Sequence, residues 1–214
     1  MYDIADRPIL DKDALVGGCL RLPIRVDVDR LQSEVRALPA ELWGDTAGRN
    51  GIHSAANAIF VRGHAPLEGD FPVEDRPVLE RLPYVRSILA ETIPASPLRA
   101  LLARLPAGAV IRPHVDLAAY FQKSLRVHVP IETNEQLWML SAGKCYQMRP
   151  GEVWVLNNSG LHGVVNGHAS LPRIHLICDF LPDQPLIDLL ADGDRDLGQV
   201  RPEVEEAARQ TPSR

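Results

Sequence analysis

The stretch Ser96–Asp116, SPLRALLARLPAGAVIRPHVD, decides how this chain folds. Residue propensity in LRALLARL favours a helix, whereas the alternation of Leu98, Ala100 and Leu102 permits a strand. The end of the stretch bears on chemistry. In an extended segment residues two apart face the same side, so His114 and Asp116 present an imidazole and a carboxylate to one point. Such a pair is either two ligands of a metal or a surface His–Asp pair with no chemistry.

Downstream, from Leu125 to Phe180, short apolar segments follow one another: LRVHVPI, QLWML, KCYQM, EVWVLNN, HGVVNG and RIHLICDF. The turn chemistry between them, at ETNE, SAGK and RPG, predicts an antiparallel sandwich or barrel. Cys178 reads as a small buried apolar residue of the last strand. Upstream, CLRLPIRVDV and AANAIFVRG read as strands. DRLQSEVRALPAELW reads as a helix with Leu31, Val35 and Leu38 on one face and Asp29 as its cap. GDTAGRNGIHS and GHAPLEGDFPVEDRP read as loops. PVLERLPYVRSILAET spaces its apolar residues as one amphipathic helix starting at Pro77. After Phe180, QPLIDLLAD predicts a short helix, and residues 193–214 read as a flexible C-terminal tail to a single domain over residues 1–192.

The 214 residues are 45% hydrophobic and 24% charged, enough apolar material for a real core. A net charge of −5 gives no basic face for a nucleic acid. The chain has no apolar run of the roughly 18 to 20 residues needed to span a bilayer. Its N-terminal MYDIADRPILDKD is acidic and lacks the apolar core of a secretion signal. With only the three unpaired cysteines Cys19, Cys145 and Cys178, the chain reads as a soluble cytoplasmic protein acting on a small molecule or a peptide.

A third metal ligand would have to come from elsewhere in the sheet. His162, in NNSGLHGVVNG, sits where a β-barrel places a residue at its mouth. Two imidazoles and a carboxylate on one face of an ion leave the opposite positions open, as in non-haem Fe(II) oxygenases. Arg173, eleven residues further on, puts a guanidinium on an apolar strand. Its burial calls for an anion, which a dicarboxylate cosubstrate would supply. Arg126 and His128, two apart on LRVHVPI, either form a second polar pair facing a pocket or serve in a salt bridge to Glu132 or Asp179. Trp43, His53, Asn57, Arg62 and Arg99 are polar or aromatic groups outside this set that could line a substrate site.

The ordered series LPAGAVIRPHVD, LRVHVPI, PGEVWVLNNSGLHGVVN and RIHLICDF resembles the aspartyl/asparaginyl β-hydroxylase family of 2-oxoglutarate-dependent oxygenases, which includes bacterial cis-proline hydroxylases. The likeness spans about Leu98 to Asp183. It implies a mainly β fold with flanking helices, a double-stranded β-helix or jelly roll, so residues 98–105 become a strand. It implies Fe(II) held by His114, Asp116 and His162. It also implies 2-oxoglutarate held by Arg173, with Arg126 and His128 near its other end, and O2 as the oxidant. Two departures bear on substrate. The branch that hydroxylates epidermal-growth-factor-like domains lacks a metal carboxylate, which Asp116 supplies here. It also carries an Arg where this chain has Ser124. Alternation aims Ser124 at the pocket, which predicts a neutral or apolar target side chain. The rival readings are a non-catalytic cupin-like binding module and a metal-dependent isomerase or lyase, the latter leaving Arg173 unexplained.

Overall fold

The computed structural model describes residues 4–44, 46, 51–65 and 73–210. Among the described residues ten strands form two antiparallel sheets: β1 (Cys19–Arg25), β2 (Asn57–Arg62), β3 (Pro97–Leu105), β4 (Val110–His114), β5 (Leu125–Glu132), β6 (Leu137–Ser141), β7 (Lys144–Tyr146), β8 (Glu152–Leu156), β9 (His162–Asn166) and β10 (Arg173–Phe180). The larger sheet has the order β1-β8-β5-β10-β3-β2 and the smaller β4-β9-β6-β7. Together they make a jelly roll with helices α1 (Lys12–Leu15), α2 (Val28–Arg36), α3 (Pro83–Ser87), α4 (Ala119–Lys123), α5 (Gln184–Ala191) and α6 (Pro202–Gln210) around it.

The ambiguous segment is β3, paired with β10 on one side and β2 on the other. Hydrogen bonding to two neighbours and burial on both faces override its helix-forming composition. Along β10, Ile174, Leu176, Cys178 and Phe180 enter the main core, where Leu31, Val35, Val85, Leu186 and Leu190 of α2, α3 and α5 cover the sheet. Cys178 is thus the buried apolar residue expected of it. The alternate residues Arg173, His175, Ile177 and Asp179 point to the opposite face, toward the smaller sheet. There Leu105, Trp154 and Leu156 meet Ile111, Leu137, Met139 and Val164 in an inter-sheet core.

Two helix expectations are corrected. Asp27, not Asp29, caps α2, its carboxylate accepting from Arg30 N, and the helix ends at Arg36, short of Leu38. The single helix expected over 77–92 is a 3-10 turn, then α3, then a wide π turn, because Pro83 has no N–H to continue the first turn and starts a new one. The polar stretch around 45–50 and the loop around 66–72 fall largely outside the described residues, although 51–53 form a 3-10 turn. Residues 193–210, read as a tail, pack on the body. Asp194 and Gln199 bridge to Arg21 and Cys145, and Val204 and Ala208 of α6 bury against Trp138, Leu140 and Val165.

Candidate metal and cosubstrate site

His114 ends β4 and His162 begins β9, and the two are cross-strand partners with ring centroids 4.2 Å apart. Asp116 follows His114 by two residues, its backbone N–H bonded to Asn158 O at 3.0 Å. His114 Nδ1 lies 2.8 Å from Arg112 O and His162 Nδ1 lies 3.0 Å from Gly160 O. A carbonyl only accepts, so each Nδ1 carries a hydrogen, and Nε2 is the nitrogen each ring can offer to a metal. His114 Nε2 is buried, has no hydrogen-bond partner, and sits 3.6 Å from Asp116 Oδ1. Burial, followed by the neighbouring His114, lowers His162 to about 4, so its imidazole is neutral at neutral pH. Imidazole nitrogens beside a carboxylate oxygen are the donor set a divalent metal takes.

The structure also brings in His53, from the 3-10 turn at 51–53. Its Nε2 is 3.9 Å from Asp116 Oδ1, and the ligand atoms of His53, His114 and Asp116 all lie within 4.8 Å of one another. His162 borders this compact group through its ring contact with His114. Sequence reading treated His53 only as a pocket-lining candidate. Nothing in a loop residue 61 positions before His114 signals that it closes on the same point.

Asp116 is held in one orientation. Its Oδ2 accepts from Arg126 Nη1 at 2.7 Å and Asn158 Nδ2 at 3.0 Å, which leaves Oδ1 directed to the histidines. Burial opposes its charge, but Arg126 beside it, with further help from His53, His162 and Asn158, keeps the carboxyl well below the usual range. Arg126 in turn donates from Nε and Nη2 to Asp179 at 2.8 and 3.1 Å, and Arg99 Nη2 reaches Asp179 at 3.3 Å. A row Arg126–Asp179–Arg99 therefore crosses β5, β10 and β3. Arg126 forms the salt bridge to Asp179 that its sequence left open, and also grips the Asp116 carboxylate.

The second polar group lies along the same sheet face. Arg173 Nη2 is 3.0 Å from His175 Nδ1 and 3.4 Å from His128 Nδ1. Burial and then the Arg173 charge hold both imidazoles well below their ordinary pKa, so both are neutral. With each Nδ1 facing a guanidinium N–H, each Nε2 carries the hydrogen, and both Nε2 atoms are buried without a hydrogen-bond partner. Arg173 and His175 line a small cavity with Leu137, Met139, Tyr146, Met148 and Val164. Arg173, His128 and His175 thus form one buried cationic group of nitrogen donors and acceptors, chemistry suited to an anion with several oxygens. His175 was missed in the sequence, although its place two residues after Arg173 puts it on the same strand face. Ser124, expected to face the pocket, instead donates its hydroxyl to Tyr120 O at 2.9 Å, on the last turn of α4.

Between the two polar groups the sheet face is apolar: Ala58 and Phe60 of β2, Leu101 and Ala103 of β3, and Ile177 of β10 form one cluster.

Residues 53–182 match the profile of the family described as aspartyl/asparaginyl beta-hydroxylase. Among named relatives, the L-proline cis-4-hydroxylase of Rhizobium meliloti (strain 1021) is 27% identical over 139 residues, 64% of this chain and 47% of that protein. L-proline cis-3-hydroxylase 2 of a Streptomyces species is 26% identical over 110 residues, 50% of this chain and 38% of that protein. The chain thus spans about half the length of the relatives it matches, or less. A solved 2OG-Fe(II) oxygenase-family oxidoreductase from Burkholderia pseudomallei aligns with TM-score 0.50 and 14% identity over 86% of this chain and 87% of that one. The prolyl hydroxylase of Trichoplax adhaerens, solved with a hypoxia-inducible-factor peptide fragment, aligns with TM-score 0.53 and 13% identity over 83% and 89% of the two chains. These two likenesses speak for the fold.

Proposed function

Because the chain belongs to the aspartyl/asparaginyl β-hydroxylase family, we propose that it is an Fe(II)- and 2-oxoglutarate-dependent dioxygenase that hydroxylates an amino-acid side chain, free or in a peptide. The observation that carries this reading is the paired arrangement on one sheet face. Nitrogen donors stand beside Asp116 Oδ1 at one end, and a buried guanidinium grouped with two neutral imidazoles stands at the other. In this reading His114, Asp116 and His162 hold Fe(II), with His53 beside them. Arg173 and His128 hold the distal carboxylate of 2-oxoglutarate, which a bidentate guanidinium suits. When bound, the iron supplies the O2 chemistry by which 2-oxoglutarate yields succinate and CO2 and one oxygen atom enters a substrate C–H bond.

The chain's own contribution is placement. Arg112 O and Gly160 O fix the tautomers of His114 and His162. Arg126 and Asn158 hold Asp116 ionised and turned. The apolar patch of Ala58, Phe60, Leu101, Ala103 and Ile177 gives the target side chain a dry wall, which favours a neutral or apolar target such as proline or an aliphatic residue over aspartate. Cys19, Cys145 and Cys178 are all free and buried, which fits a reducing cytoplasm, and among the described residues no helix is long and apolar enough to cross a membrane. The packed segment 193–210 is read as part of the same domain.

The test is anaerobic loading with Fe(II) and 2-oxoglutarate, then air and a length-matched panel of Pro, Asn, Asp and aliphatic amino acids and peptides. The expected result is stoichiometric succinate and a mass gain of one oxygen on a neutral target, lost in His114→Ala, Asp116→Ala and His162→Ala with the fold kept. Metal binding without substrate-dependent succinate would point to the non-catalytic binding module instead.

A further inference from the structure

Lys12, the first residue of α1, is 3% exposed. A buried ammonium costs stability unless its hydrogens are taken up. Its Nζ donates to Phe121 O at 2.5 Å and to Asn158 Oδ1 at 2.7 Å. Burial, and then Arg126, lowers it to about 8, against the pull of Asp179 and Asp116. The two carboxylates of this cluster, Asp116 and Asp179, already have Arg126 and Arg99 as counter-ions, so the charge of Lys12 is not needed to balance them. Its position calls for another explanation.

That explanation lies in the amide of Asn158, which is fully buried and has two unlike ends. Turned one way it donates to Asp116 Oδ2, and turned the other it sets an oxygen against a carboxylate. An ammonium only donates, so Lys12 can bond only the Oδ1 end. Lys12 on one side and Asp116 on the other select the same flip. Resting on the metal site proposed above, we infer that Lys12 is a positioning residue for the metal centre: through Asn158 it fixes Asp116 so that Oδ1 stays free for the ion. Lys12 lies outside the family-matched residues 53–182, so a segment before them completes the site. Asn157 anchors the same segment, its Nδ2 donating to Asp13 Oδ1 at 2.8 Å and Gly17 O at 2.9 Å.

The test measures the affinity of the metal-free protein for Co(II), by calorimetry and by the visible Co(II) spectrum. Groups that orient a metal ligand typically change affinity by roughly 10- to 100-fold when lost. Lys12→Met should weaken Co(II) binding by about that factor and shift the spectrum, with circular dichroism and thermal melting near wild type. Lys12→Gln, one bond too short to reach Asn158 Oδ1, should behave alike and serves if the Met variant does not fold. Lys12→Met should add nothing further in an Asn158→Ala background, as a shared pathway requires. An alternative role predicts the opposite sign: a cation that merely repels the ion would, when removed, tighten binding. Unchanged or tighter Co(II) binding in both Lys12 variants, or losses that add to Asn158→Ala, overturns the inference. Asp116→Ala is the control for the site itself. If it too leaves Co(II) affinity unchanged, the metal-site reading has failed rather than the role of Lys12.

Discussion

Asp179→Asn isolates the charge of one buried group while keeping its shape. Asp179 is 1% exposed, and its two oxygens take three guanidinium contacts, two from Arg126 and one from Arg99. Burial opposes its ionisation, but Arg126 and then Arg99 keep its carboxyl below the ordinary value, so the charged form is the one removed. An asparagine can keep its oxygen at the Oδ2 position and retain two of the three contacts, yet its NH2 then faces Arg126 Nε, donor against donor. Arg126 and Arg99 are left with Asp116 as the nearest remaining carboxylate of the row. Removing one partner of a buried ion pair typically costs about 3–5 kcal/mol. Urea unfolding followed by the fluorescence of Trp43, Trp138 and Trp154 should show a loss of that size at pH 7. Adding Arg99→Met should recover part of it, because one of the two uncompensated cations is gone. A loss below about 1 kcal/mol, within the range of an exposed pair, would falsify the fully charged, dry network described here.

Arg173→Ala should raise the Michaelis constant for 2-oxoglutarate far more than that for the primary substrate. A charge-assisted pair of about 1.5–3 kcal/mol corresponds to roughly ten- to more than hundredfold, and normal 2-oxoglutarate saturation in the variant would make Arg173 purely structural. Gly163→Ala, beside His162, places a Cβ 2.9 Å from Ile111 O and 3.1 Å from Pro113 N. Strands β4 and β9 must part, so a loss of about 1–3 kcal/mol together with weaker Co(II) binding is expected, and a variant unchanged in both would contradict the strand contact. His128 and His175 have folded pKa values depressed below the unfolded value of 6.5. Their unfolded forms therefore bind protons first, so their contribution is complete above pH 6.5 and is lost as pH falls. The slope is up to about 1.4 kcal/mol per pH unit for each. His175→Leu should flatten the acid limb of the stability curve, and an unchanged slope would mean that His175 takes up its proton equally in the folded and unfolded chain.

The parts of this molecule that obey a strand period were readable from residues alone. His114 with Asp116 and Arg126 with His128 share faces because alternation requires it, and Arg173 stood out as a cation on an apolar strand. His175 obeys the same period and was within reach of the same reasoning. The strand β3 was not readable from local preference, since its leucines, alanines and arginines suit a helix and only pairing with β2 and β10 makes it extended. His53 and Lys12 are of another kind. Each reaches the site from outside the strands, Lys12 across 146 positions to Asn158, and no periodicity links such residues. In α6 the signal was present but thin: Val204 and Ala208, four apart, are its buried apolar positions among three glutamates and one arginine. A segment so charged reads as solvated until the groove it fills is known.

The apolar strip of Ala58, Phe60, Leu101, Ala103 and Ile177 has a consequence for how this scaffold can diversify. On the function proposed above, metal ligation and side-chain selection would use different parts of the same sheet face and could change independently. Each of these five positions lies mid-strand, with its backbone already paired, so a new side chain there alters the shape of the wall without disturbing the strand registers that align the polar groups. Ala58 and Ala103 are direct cross-strand neighbours, and enlarging either narrows the wall at one spot. If the proposed function holds, a small combinatorial library at these sites would retune which side chain is accepted while His114, Asp116 and His162 stay as they are.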